Sequence, residues 1–206
     1  MRTSGSIRHC AGDDPIPAAL DEFIPQPDVG DRQEVVVRAP ADLVFEVASQ
    51  FDLQSIPLIR FIFWLRAALL GARVRGGWKP AGLVAETRAM GWGALKDQPG
   101  RLYIAGAACQ PWQADVHFTP LTPESFPVYA EPDQVKIAWS LEAEPLEPGV
   151  TRFATETRVI ATDAEAHRKF KRYWRTFGIC IVGIRWLLLP RLRRLAERRA
   201  RAAARS

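Results

Sequence analysis

A chain of 206 residues with 48% hydrophobic and 25% charged residues has room for one ordinary domain whose core needs no disulfide or metal staple. Its three cysteines, Cys10, Cys109 and Cys180, stand far apart without a CxxC or a metal-ligand spacing, which excludes a disulfide framework and fits a reducing compartment. The formal charge of +5 is unevenly placed: from Arg185 onward eight arginines face one acid, Glu197, a net +7 that leaves the preceding residues at −2, so any argument from charge concerns the C-terminal end only.

Residues 1–28 are rich in Pro, Gly and Asp without a hydrophobic period, and they predict a disordered leader. No apolar stretch of signal-peptide length occurs there and acids come early, so a cytoplasmic protein is expected. The β-branched run Arg32–Arg38 predicts a first strand. Pro40 and Asp42 suit a helix start, and a short helix over about 41–49 presents Leu43, Val44 and Val47. A second helix follows, with Ser55 as cap, Pro57 in its first turn and an end at Gly71.

From about 81 to 161 the chain reads as strands and turns. GLVAETR predicts a strand, and WGALKDQPGRLYIAGA predicts a hairpin turning at Asp97–Gly100. Val135, Ile137, Trp139, Leu141 and Ala143 alternate with polar residues, the period of a half-buried strand. After the turn at Glu147-Pro148-Gly149, Phe153, Thr155, Thr157 and Val159 face one way and Arg152, Glu156 and Arg158 the other.

The period then lengthens. Thr162 or Asp163 caps a helix with Glu165 in its first turn. Along it Phe170, Tyr173, Trp174, Phe177, Ile181, Ile184 and Leu188 fall within about 60° of one line at about 100° per residue. Helices segregated at the two ends of a run of strands predict an α+β fold: a curved antiparallel sheet, two short helices after its first strand, and a long C-terminal helix that the sheet grips.

The segments RAPADLVFEV (38–47), GWGALKDQPGRLYIAG (91–106), TETRV (155–159) and DAEAHRKFKRYW (163–174), in that order, resemble the SRPBCC superfamily (START-like, Bet v 1-like, polyketide cyclase-like), within it a bacterial branch without an assigned activity. The resemblance covers most of residues 31–190. It implies a helix-grip ligand-binding domain over 29–190 and a cavity between sheet and helix for a small hydrophobic or lipid-like ligand; the arginine run after it reads as a basic helical tail over 191–206. The lining expected from the residues is Trp139, Leu141, Phe153, Thr155, Thr157, Tyr173, Trp174, Phe177 and Ile181, apolar with a few orienting hydroxyls. A solid core is the plainer reading of the same stripe.

No GxSxG, HExxH, P-loop or GxGxxG motif occurs, and no catalytic residue, metal site or cofactor is assigned. Glu156 and Arg158 form a surface ion pair, or else one of them reaches the cavity, where a carboxylate can act as acid or base. Binding or carriage of a ligand is therefore the first reading, and a cyclase- or dehydratase-like enzyme on polyketide-type substrates is the alternative. A third reading comes from the opposite side of the last helix. There Ile179, Val182 and Trp186 lie about 120–180° from the stripe and call for a homodimer or a membrane surface. Arg175, Arg185 and Pro190 leave too short a stretch to span a bilayer. The arginines beyond suit anionic lipid or, less well, nucleic acid; a solvated, fraying helix end is the plainer outcome.

Overall fold

The computed structural model describes residues 19–52, Gly71 and 82–205, apart from the side chains of 179–181. Six strands form one antiparallel sheet: β1 (Val29–Val37), β2 (Gly93–Gln98), β3 (Leu102–Cys109), β4 (Thr119–Pro120), β5 (Val135–Glu147) and β6 (Val150–Ala161). Its order is β1-β6-β5-β3-β2, with β4 on β3. Four described helices accompany it: α1 (Ala41–Ser49), α2 (Leu83–Ala89), α3 (Ser125–Val128) and α4 (Ala164–Ala203). This is a helix-grip arrangement. The expected helix at about 55–70 lies outside the described residues.

The alternation in β5 and β6 sets which residues meet α4. Directly paired residues share a face, so Phe153 with Ala143, Thr155 with Leu141, Thr157 with Trp139 and Val159 with Ile137 make up the inner face. The tight β5–β6 turn is closed by Gly149 at φ 75°, a left-handed conformation that favours glycine. Register shifts at Ala94/Lys96 and Pro145/Glu147 mark bulges, which bend a strand and increase its twist.

The segment GLVAETR is a helix, not the expected strand. A short apolar run is ambiguous between the two, and here Leu83, Glu86 and Thr87 are buried at helical spacing, with the Thr87 hydroxyl donating to the Leu83 carbonyl. The helix is entered through Gly82 at φ 89°, where a Cβ would stand 2.9 Å from the Gln50 Cα. Only glycine fits that approach.

The outer face of the sheet is covered too. Residues 19–28, expected as part of a disordered leader, lie against it: Leu20 and Ile24 are buried with Leu95, Ile104, Leu121 and Phe126. Composition hid this because two well-placed apolar side chains suffice to dock a proline-rich segment. The same segment covers Glu156 and Arg158. Arg158 donates to the Glu156 carboxylate at 2.6 Å, to Asp21 and to the Ile24 carbonyl at 2.7 Å, and Arg32 bridges Glu142 and Glu156 at 3.0 and 3.2 Å.

The Asp163 carboxylate caps α4, accepting from the N–H groups of Asp133 at 2.6 Å and Ala166 at 2.8 Å. The helix then runs through Pro190 without a break to Ala203. Residues beyond 190 are thus not a separate tail: Leu192 and Ala196 are fully buried against α1, and Glu197 accepts from the Arg38 N–H at 3.3 Å. Among the described residues no helix is long and apolar enough to cross a membrane.

Two outcomes test these contacts. Ile24→Ala should cost about 2–5 kcal/mol in urea unfolding, the range for truncating a buried isoleucine, whereas Glu22→Ala, which removes an exposed ion pair with Lys96, should cost at most about 1 kcal/mol. The N–H donors of Asp133 and then Ala166 hold the Asp163 carboxyl below the usual carboxylate range. A depressed carboxyl contributes stability above its unfolded pKa, near about 4, and loses that contribution as pH falls through the folded value. Asp163→Asn keeps a capping oxygen without the charge, so the stability gap between wild type and this variant should shrink when unfolding is measured first at pH 5 and then below pH 3.

Candidate functional site

The inner face divides into three zones along α4. At the N-terminal end of the helix, Phe170 and Tyr173 are buried with Cys109, Val135 and Val159, and Trp174 and Phe177 lie against them. The rings interlock, with Phe170–Trp174 centroids at 5.9 Å and Tyr173–Phe177 at 5.1 Å. Gly178 makes this possible, since a Cβ there would stand 2.8 Å from the Trp174 indole. At the other end Leu188, Leu189 and Leu192 join Val44, Leu141 and Phe153 in an aliphatic cluster. Leu141 and Phe153 are fully buried and act as core.

The middle zone is polar. One rung of the sheet runs Asp31–Thr157–Trp139–Ala105–Ala94, and Arg185 descends onto it from α4, donating to the Asp31 carboxylate and the Thr157 hydroxyl. Arg185 is only 7% exposed. Burial pulls its pKa below the ordinary arginine value, while Asp31 and, more weakly, Glu156 oppose that shift; an arginine remains charged throughout. In the next rung the Thr155 hydroxyl accepts from the Trp139 indole N–H at 3.1 Å and donates to the Ser140 carbonyl at 2.8 Å. Both threonines therefore spend their hydrogen bonds inside the protein.

The nine residues expected to line one cavity are thus spread over the length of the grip. Trp139 and Thr155 are bonded to each other, Thr157 is held by Arg185, Leu141 and Phe153 are core, and Tyr173, Trp174 and Phe177 form the aromatic end. The Ile181 side chain lies outside the described ones. Glu156 is on the outer face and does not reach the inner one.

Open space lies at the edge of the inner face. A cleft of about 670 Å³ is bounded by α1 (Phe45, Glu46), α2 (Val84, Ala85, Arg88) and the β2–β3 turn (Asp97, Pro99), with Tyr103 in its lining. Tyr103 links it to the middle zone, because its ring meets Trp139 edge-on at 6.2 Å. Arg88 lies over the same ring at 5.2 Å, donates to the Tyr103 hydroxyl at 3.2 Å and pairs with Asp97 at 2.8 Å.

Sequence reasoning missed five of these residues: Asp31, Arg185, Arg88, Tyr103 and Asp97. A signal existed for Arg185, which stands 15 positions after Phe170 and so falls at about 60°, on the apolar stripe. None existed for Arg88 while its segment read as a strand.

Removing one partner of a buried pair costs more than the pair contributes. Asp31→Asn should therefore destabilise by about 3–5 kcal/mol in urea unfolding, and replacing both residues, Asp31→Val with Arg185→Met, should recover most of that loss. Additive losses in the double variant would show that the two side chains do not act as a pair.

No protein-family model matches the sequence, and no curated protein does. Among solved structures the chain is similar to the Zhui aromatase/cyclase from Streptomyces sp. R1128, at 14% identity over 85% of this chain and 97% of that one, with a TM-score of 0.29. It is also similar to the hypothetical protein jhp0584 from Helicobacter pylori, at 11% identity over 81% of this chain and 84% of that one, with a TM-score of 0.30.

Proposed function

We propose that this protein binds one small amphipathic molecule in the cleft between α1, α2 and the β2–β3 turn. The observation that carries this is the cleft itself: about 670 Å³ is within the range of small-molecule sites, which combine apolar walls with a few placed polar groups. Phe45, Val84 and the Tyr103 ring supply apolar wall, and Arg88 supplies donors beside it. The ligand's apolar body lies along that wall. Asp42, Glu46 and Asp97 outnumber Arg88 in the lining, so the ligand's polar end is an uncharged acceptor such as a carbonyl or hydroxyl, which accepts from the half-exposed Arg88 guanidinium beside Asp97. Binding or carriage fits better than acid–base catalysis, because the carboxylate considered for that role, Glu156, is held by two arginines on the other face.

Native mass spectrometry of protein purified from its own host should show a co-purified adduct of one ligand per chain. A saturable titration with the uncharged apolar dye N-phenyl-1-naphthylamine should weaken at least tenfold in Ala85→Trp, which fills the cleft from an α2 position. It should weaken less in Arg88→Met, which removes the charge and keeps most of the wall. Neither an adduct nor saturable binding, in protein with a normal unfolding transition, would dismiss the proposal.

A further inference from the structure

The side of α4 turned away from the sheet has a composition that neither the core nor the cleft explains. Trp186 is 70% exposed, and Val182 is partly exposed one turn before it. On either side stand exposed arginines: Arg168, Arg172 and Arg175 toward the N-terminus, Arg193, Arg194 and Arg201 toward the C-terminus. At about 100° per residue, Arg168, Arg172, Arg175, Val182 and Arg193 all lie within about 40° of Trp186. At about 1.5 Å per residue the basic stretch from Arg168 to Arg201 extends about 50 Å. One acid, Glu197, interrupts it, and another, Glu165, stands just before it. Glu165 pairs with Arg168, and Glu197 with Arg193; among the described residues Arg172, Arg175 and Arg194 take part in no ion pair.

We infer that this face docks on an anionic lipid surface, with Trp186 and Val182 entering the interface and the flanking arginines meeting headgroups. Tryptophan favours the boundary between headgroups and acyl chains, and basic residues near such a surface are attracted by its negative potential. A lateral rather than spanning placement follows, since no described helix is long and apolar enough to cross. A second copy of the chain fits less well. A two-fold contact is self-complementary, so helices crossing at Val182 and Trp186 would set Arg175 of one copy against Arg193 of the other, like against like. A nucleic acid would use the arginines and stack a base on Trp186, but would leave Val182 beside it in water.

Flotation with vesicles of phosphatidylcholine containing 30% phosphatidylglycerol, compared with phosphatidylcholine alone, tests this on the full chain. Wild-type protein should float with the anionic vesicles at low salt, remain below with the neutral ones, and be released at high salt. Arg172→Glu with Arg175→Glu, and separately Trp186→Ser, should each reduce the bound fraction at least fivefold. All these side chains are exposed, so far-ultraviolet circular dichroism should not change. Equal behaviour with neutral and anionic vesicles would overturn the inference. So would a dimer by light scattering that Trp186→Ser dissociates, or retention on single-stranded DNA without flotation.

Discussion

A lone antiparallel sheet has two faces to remove from water, and the rest of this structure follows from how each is covered. The inner face carries Phe153, Leu141, Val159 and Val135, more apolar surface than one short helix can hide. A helix of 40 residues spans it from the Val135 end to the Phe153 end, and α1 closes the second half from the side. The outer face is smaller in apolar content, so a short segment before β1 and the β4–α3 region suffice for it. Each cover is weak alone; both depend on the same β5–β6 ladder being in register, because a slip of one residue would exchange the two faces.

That division places the charges. The outer face buries Arg158 and Glu156 as a pair that the exposed Arg32 joins from its edge, and on the inner face, among the described residues, Arg185 is paired with Asp31. Buried charges contribute little net stability when paired and cost several kcal/mol when one partner is lost. Arg185 ties α4 to the Asp31–Thr157 rung of the sheet. The aromatic and aliphatic clusters pack at the two ends of this contact, and the cleft against Tyr103 lies at the edge of the sheet.

Two surfaces of different chemistry result. The cleft at the sheet edge is partly apolar, with Arg88 among three carboxylates at its wall, and is the site proposed for a small molecule. The outer side of α4 is long, basic and centred on an exposed tryptophan, the face proposed to meet an anionic surface. They lie on different elements, so a variant that fills the cleft leaves the helix face unchanged, and charge reversal on the helix leaves the cleft unchanged.

The sequence by itself determined the fold class, because period-two alternation in β5 and β6 and the 3.6-residue stripe of α4 are local patterns that translate directly into faces. It also determined the unusual outer face of α4, through the angular positions of Val182 and Trp186. It did not disclose the covering of the outer sheet face by Leu20 and Ile24, since two apolar residues in a proline-rich stretch carry no period. Nor did it place Glu156 and Arg158: alternation told that they point away from the helix, but whether that side meets water depends on a segment more than a hundred residues away. Only the tertiary structure decided that Arg185 belongs to the interior, where Asp31 satisfies it, and that the lining residues expected to share one cavity are spread over the whole length of the grip. Local pattern tells which way a side chain points. What it meets there is set by long-range packing, and a functional site is made of such meetings.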